Sequence, residues 1–260
     1  MRLINKLFLV VFSFWSCNLQ KQIDKKLITL TYNIHHGGPE NSNQVNLQDI
    51  ADVIQRSKAD VVALQEVDVL VPRSGGVHQA EELAKLLGMH YYFSKSIDFS
   101  GGQYGVAILS KYPLFNTRKE LLPMPVASEQ RSVAMATVNL PGNVSIEFGA
   151  THLDLKVDNR IAQSQQLNAI SENLAKPFFV GGDYNAIPTS KEMKILKEEF
   201  HLSCMDSCAL SFPVRNPDRA IDFVVYNKIA ASMFKLVEAY AMKGEYASDH
   251  LPVVAVFSYR

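Results

Sequence analysis

Cysteine is scarce, with 3 in 260 residues. Cys204 and Cys208 stand close to His201, but one histidine and two cysteines supply no second ligand pair at a structural-zinc spacing. The two thiols either pair in an oxidising compartment or pack as small apolar groups. Lysine and arginine form no concentrated block and the formal net charge is +0, which disfavours a dedicated, tight binder of nucleic acid. No His-Glu-x-x-His pair marks a zinc hydrolase built on His35, His36 and His152, and no nucleophile-elbow pattern marks an activated serine or cysteine. Repeats, low-complexity tracts and interior linkers are missing too, so one domain of mixed α/β type is the simplest organisation. What is plentiful is apolar surface: 47% hydrophobic and 10% aromatic residues suffice for a large core.

Long hydrophobic runs are also lacking. Leu7 to Trp15 is too short to span a bilayer. With Arg2 and Lys6 before it and Ser16-Cys17 after it, the run reads as an export signal. The alternative is a buried N-terminal strand. The Ser-Cys junction resembles a bacterial lipoprotein processing site, which implies a periplasmic or cell-surface protein held at a membrane through a lipidated Cys17. On this reading residues 1–17 are a signal peptide, 18–26 a linker and 27–260 the domain. Loss of the first 16 residues leaves two more acidic than basic groups.

Within the domain, Leu27–Tyr32, Val61–Leu64, His90–Ser94, Gly105–Ser110, Ser132–Leu140, Val144–Ala150, Ile221–Tyr226, Ser232–Glu238 and Leu251–Phe257 have strand character. Leu47, Ile50, Ala51 and Ile54 mark a helix face with Asn46 as N-cap. Ala80, Leu83, Ala84 and Leu87 mark another, closed by Gly88. Helices are also expected over Arg160–Leu174 and Ser190–Lys197. The stretch Phe178 to Ala186 reads as a buried strand, a tight turn at Gly181-Gly182, and then Asp183 and Asn185 two positions apart. An Asp orients water or binds a hard cation and an Asn donates to a phosphate oxygen, while an ordinary Asp-Tyr-Asn turn explains the same residues.

Polar residues recur at the ends of apolar strands. Asn33 follows Leu30-Thr31-Tyr32, Glu66 follows Val61 to Gln65, and His152 and Asp154 follow Phe148 to Thr151. Asp222 adjoins Phe223-Val224-Val225, and Asp249-His250 precede Leu251-Pro252-Val253. If the sheets gather these ends, they form one polar crevice on an apolar scaffold.

Tyr32-Asn33-Ile34, Leu64-Gln65-Glu66-Val67, Tyr104 to Ser110, Thr151-His152-Leu153, Gly182-Asp183-Tyr184-Asn185, Ile221-Asp222-Phe223 and Ser248-Asp249-His250-Leu251-Pro252 occur in that order. The ordered set resembles the endonuclease/exonuclease/phosphatase superfamily, which includes deoxyribonuclease I, AP endonucleases, inositol polyphosphate 5-phosphatases, neutral sphingomyelinases and deadenylases. The resemblance implies an α+β fold: a two-sheet β-sandwich flanked by helices, the deoxyribonuclease I-like four-layer α/β sandwich. It also implies hydrolysis of a phosphodiester or phosphomonoester with Mg²⁺ or Mn²⁺ as cofactor. Carried over motif by motif, Glu66 is the principal metal ligand, with Asn33 and Asp249 completing or orienting the metal shell. Asp183 handles the attacking water, Asn185 holds a phosphate oxygen, and Asp222 orients His250. His152 binds the scissile phosphate or assists the leaving group.

That assignment agrees with the chemistry, since phosphoryl transfer asks mainly for positioning and charge neutralisation. Substrate contacts are expected from Arg131, Arg73 and Arg160, whose forks suit phosphate oxygens, and from His35, with Tyr104 near the floor. His35 stands where AP endonucleases carry an Asp, which argues against that branch. The expected partner is a phosphate-ester substrate, a phospholipid head group or a sugar or inositol phosphate. A secreted nuclease acting on DNA or RNA is the alternative, followed by a non-catalytic binding protein on the same scaffold.

Overall fold

The computed structural model describes residues 25–40 and 44–260. The signal peptide read at 1–17 and the linker up to residue 24 lie outside the described residues. Twelve strands are present among them: β1 (Lys25–Asn33), β2 (Val61–Val69), β3 (His90–Phe99), β4 (Gly102–Ser110), β5 (Leu114–Leu121), β6 (Ser132–Leu140), β7 (Val144–His152), β8 (Phe178–Asp183), β9 (Phe200–Leu202), β10 (Asp222–Asn227), β11 (Phe234–Ala241) and β12 (Val253–Tyr259). The helices are α1 (Leu47–Ser57), α2 (Gln79–Leu87), α3 (Val157–Glu172), α4 (Lys191–Leu196) and α5 (Lys228–Met233). The first strand thus begins at Lys25, two residues inside the stretch read as linker.

The strands form two six-stranded sheets, ordered β11-β12-β1-β2-β4-β3 and β5-β6-β7-β8-β10-β9. Each contains one parallel pair: β1 with β2 through α1, and β7 with β8 through α3. Both sheets are therefore mixed, and helices cover their outer faces, as parallel pairs require. Three apolar clusters fill the layers. One lies between the sheets and includes Val61, Ala63, Phe148, Phe179 and Phe257. Another joins β1, β2 and β4 to α1 and α2, and the last joins β8 and β10 to α3 and α4. Phe179 meets Phe234 and Phe257 edge-on at 5.1 and 5.0 Å; each such buried ring contributes roughly 1.5–3 kcal/mol through burial alone. The expected four-layer sandwich is what the chain forms.

Local sequence accounts for the helix ends. Asn46 caps α1 by accepting from Gln48 N at 3.0 Å, and Gly88 closes α2 in the left-handed region at φ +63°. Strand β5, the short β9 and helix α5 were not expected. β5 is largely exposed, so it lacks the apolar alternation that marks a half-buried strand.

Two local readings change. Gly181 and Gly182 make no turn, because β8 runs through them to Asp183. Their role is close approach: a Cβ at Gly181 would lie 2.5 Å from Ala63 Cβ on the opposite sheet, and one at Gly182 would lie 2.9 Å from Thr151 O. Likewise β2 does not end at Gln65-Glu66. It continues to Val69 past an irregularity between Leu64 and Val67, where Glu66 sits at φ +58°. A bulge of this kind re-aims one side chain without ending the strand.

Candidate active site

Sheet direction gathers the polar residues. Asn33 and Glu66 come from the parallel strands β1 and β2, and His152 and Asp183 from the C-terminal ends of the parallel strands β7 and β8. Antiparallel β10 begins with Asp222 directly opposite Asp183. Asp249 and His250 lie in the loop before β12, antiparallel to β1. The carboxylate of Asp183 is where these groups meet. Its Oδ2 accepts from Asn33 Nδ2 at 3.2 Å and lies 3.5 Å from His152 Nε2 and 3.7 Å from His250 Nε2. Its Oδ1 accepts from the backbone of Asn185 at 2.8 Å. Asn33 Nδ2 also donates to Glu66 Oε1 at 3.1 Å, so one amide bridges the two carboxylates.

Asn185 forms the ordinary turn that was one reading of these residues. Its backbone closes an Asp-Tyr-Asn turn at φ +48°, and that turn aims its amide into the crevice. Nδ2 lies 3.0 Å from Leu153 O and 3.1 Å from His152 Nε2. With the amide donating to both, the His152 proton sits on Nδ1, which is buried and without a partner among the described residues. Burial and the nearby Arg131 cation hold His152 well below the usual imidazole range, consistent with a neutral ring.

The other histidine is opposite in character. Burial alone would lower His250, but the Asp222 and Asp183 carboxylates outweigh it and lift His250 to about 10. Its Nδ1 donates to Asp222 Oδ2 at 2.9 Å, and its ring lies 4.6 Å from Phe212. Burial, reinforced by Asp222, pushes Asp183 up to about 7. Burial also raises Glu66; the bond from Asn33 works against this, and the Asp249 charge adds to the rise. Two neighbouring histidines of opposite tendency give the crevice one neutral ring and one cation.

A divalent cation fits this donor set. The nearby Asp249 charge makes the buried Glu66 carboxylate costlier to ionise, a cost that a cation would relieve, while Asn33 faces Glu66 with its amide nitrogen and holds the His35 N–H with its Oδ1. Oxygen donors of this kind suit Mg²⁺ or Mn²⁺. Asp183, Asp222 and His250 also place ligand atoms within 4.8 Å of one another. That triad is already neutralised in part by the His250 proton.

The expected substrate contacts divide. Arg131 is buried in the crevice, hydrogen-bonded to Tyr104 and facing His152. Its Nε has no partner among the described residues, and its Nη1 lies 2.8 Å from Glu129. Tyr104 is buried beside it. His35 donates its backbone N–H to Asn33 Oδ1 at 3.1 Å, and its ring lies 4.3 Å from that of His36, tilted to it by 56°. Arg73 is near Glu66, but its fork is closed on Asp68 at 2.8 and 3.0 Å and its guanidinium lies over Phe99. It adds positive field without offering its fork. Arg160 is corrected: its Nε donates to Glu192 Oε1 at 2.7 Å and Nη1 to the Asp154 and Leu155 carbonyls. The buried guanidinium is spent on tying α3 to α4, which leaves no fork for a phosphate.

Sequence reasoning missed Ser211. A bridge between Phe212 and Arg219 folds the loop before β10 back on itself. Ser211 Oγ then donates to Asp222 Oδ2 at 2.6 Å, the same oxygen that holds His250. Nothing in Leu210-Ser211-Phe212 signals this, because the contact is made by the loop's return. In the same loop Cys204 and Cys208 are joined as a disulfide, which decides between the two readings of those thiols.

The sequence pattern of the Endonuclease/Exonuclease/phosphatase family matches residues 30–250. The chain is 25% identical over 240 residues to the uncharacterized protein YbhP of Escherichia coli (strain K12), covering 87% of this chain and 94% of that one. Among solved structures, an endonuclease/exonuclease/phosphatase from Beutenbergia cavernae DSM 12333 superposes with a TM-score of 0.74 at 23% identity, over 90% of this chain and 72% of that one. The mannosyl-6-phosphatase of Bacteroides thetaiotaomicron VPI-5482 superposes with a TM-score of 0.67 at 16% identity, over 89% and 99%. At these identities the structural likeness establishes the fold.

Proposed function

This chain belongs to the endonuclease/exonuclease/phosphatase family, and from that premise we propose that it is a divalent-metal-dependent phosphoesterase. The family includes hydrolases that act on phosphate esters. The observation that carries the proposal is the convergence on Asp183 of Asn33, His152 and His250, with Glu66 joined through Asn33. A cation held by Glu66, with Asn33 and Asp249, would neutralise phosphate charge and polarise the ester. The rest of the reaction falls to the chain itself. Asp183 accepts a proton from the attacking water, which a carboxylate raised by burial does better than an exposed one. The phosphorus–oxygen bond to the leaving group breaks as the water oxygen bonds to phosphorus. His250, kept cationic by Asp222, donates to the phosphate or the departing oxygen. The unpartnered Arg131 Nε and His152 Nδ1 are donors left for phosphate oxygens, and the Asn185 amide becomes one when it exchanges its bond to His152 Nε2 for the substrate.

The substrate class we favour is a phospholipid head group or a sugar phosphate. A single mature excess of two acidic groups and the absence of a basic block support small or membrane-borne phosphates over long polyanions. Nuclease activity is the second reading. Export, with Cys17 lipidated, belongs to the same proposal; fractionating the cells that make the protein tests it. A panel of phosphate monoesters, phosphodiesters, phospholipids and plasmid DNA, each with Mg²⁺, Mn²⁺ and a chelator, tests the activity. Hydrolysis of at least one ester, lost with chelator, is expected; turnover indifferent to chelator contradicts it.

A further inference from the structure

Beside the crevice, three loops put aliphatic side chains into solvent. Leu155 is 72% exposed, Val157 and Ile187 are 48%, Val126 38% and Met124 37%. Single exposed apolar residues need no explanation, but a group of them at one place does. These belong to one rim because polar bonds lock the loops together. Val126 exchanges two hydrogen bonds with the Asn159 side chain, at 2.8 and 2.7 Å, and Ser128 Oγ donates to Asp154 at 3.0 Å. Lys156 Nζ donates to Ala127 O. The Asn185 amide, two residues before Ile187, reaches Leu153 O, two before Leu155. The rim is held in place by its polar groups, and its apolar side chains keep a large part of their surface in solvent.

Its position selects the occupant. Leu155 follows His152 by three residues and Ile187 follows Asn185 by two, so the rim adjoins two of the groups assigned to the phosphate. A body that seats its phosphate in the crevice therefore carries what lies beyond the phosphate onto this rim. A sugar or a nucleic-acid backbone would leave the aliphatic groups uncompensated. A lipid layer would cover them, and the exposed Lys156 ammonium, which donates to Ala127 O, would then face anionic head groups, as stems of this kind do at interfaces. We propose that the rim formed by Met124, Val126, Leu155, Val157 and Ile187 docks on a phospholipid bilayer surface and presents membrane-borne phosphate esters to the crevice. This rests on the phosphoesterase reading for its substrate, while the docking itself does not require turnover.

The test uses the full chain carrying Cys17→Ser, so that attachment through that thiol does not contribute. Cosedimentation with sucrose-loaded vesicles of phosphatidylcholine and phosphatidylglycerol is compared between this protein and the same chain with Leu155→Glu and Ile187→Glu. Hydrolysis of soluble bis(p-nitrophenyl) phosphate is followed in parallel with Mn²⁺. Charging two side chains that would otherwise be buried in lipid is expected to lower vesicle partitioning by at least about tenfold. The circular dichroism spectrum and soluble-ester rate should not change. A second variant, Leu155→Trp, should partition more strongly. Failure of the starting protein to sediment, or equal sedimentation of the charged variant, overturns the docking surface. Loss of sedimentation in the charged variant with no hydrolysis by either protein of this ester or of any in the panel above leaves the surface standing and contradicts the phosphoesterase reading instead.

Discussion

Replacing Ser211 by alanine removes one hydroxyl that is fully buried and whose donor bond, 2.6 Å to Asp222 Oδ2, ends on a charged group. Bonds to charged groups contribute roughly 1.5–3 kcal/mol net. Asp222 Oδ1 has no partner among the described residues, so nothing else takes over that bond and the carboxylate is left with His250. For a chain of this size 1 kcal/mol moves the thermal midpoint by about 2–4 °C, so Ser211→Ala should lower it by about 3–12 °C. The His250 ring is held through this carboxylate, the Phe212 contact and the Asp183 carboxylate at 3.7 Å, and losing part of that hold should lower the turnover number while the Michaelis constant changes little. Thermal unfolding by circular dichroism, run on Ser211→Ala, Asp222→Asn and the double variant, separates the two effects. A double-variant loss clearly smaller than the sum of the single losses is expected, because both remove the same interaction. A Ser211→Ala midpoint within about 1 °C of the parent, with unchanged turnover, would refute the reasoning from the hydrogen bond.

The other predictions are independent of that loop. Gly181→Ala should cost about 1–3 kcal/mol by urea unfolding, because its Cβ would meet Ala63 Cβ at 2.5 Å across the sandwich. Arg160→Ala should destabilise by about 3–5 kcal/mol through the stranded Glu192 carboxylate, with the Michaelis constant for a phosphate ester unchanged in the folded fraction. A raised Michaelis constant with unchanged stability would restore Arg160 to the substrate. His78 caps α2 by accepting from Glu81 N at 3.2 Å, and burial lowers its pKa in the folded protein. The unfolded chain therefore binds the proton more tightly, and stability should be full above about pH 6.5 and fall as the pH drops below it. In His78→Asn, which keeps a capping oxygen, this part of the acid loss should disappear from the urea midpoint.

The layers and most strands could be read from the chain because buried strands and amphipathic helices leave periodic traces. β5 left none, being exposed along much of its length. Glu66 was expected at the end of a strand and stands instead on a bulge inside one, since a single left-handed residue leaves the flanking apolar pattern intact. Gly181-Gly182 carried the right importance for the wrong reason: sequence cannot tell a turning glycine from one pressed against another sheet. The groups around Asp183 were legible because each follows or precedes an apolar strand. Arg160 and Arg73 were misjudged since an arginine's partner, here Glu192 or Asp68, is fixed by tertiary contact. Ser211 was invisible for the same reason.

The central claim is that the crevice around Asp183 hydrolyses phosphate esters with a cation held at Glu66. The most direct measurement is the initial rate on bis(p-nitrophenyl) phosphate and on a phospholipid as Mn²⁺ or Mg²⁺ is titrated into chelator-treated protein, for the parent chain and for Glu66→Ala. The account predicts a saturable, metal-dependent rate in the parent and loss of that rate by about two orders of magnitude or more in a folded Glu66→Ala. Equal metal-dependent rates in the two proteins would contradict it.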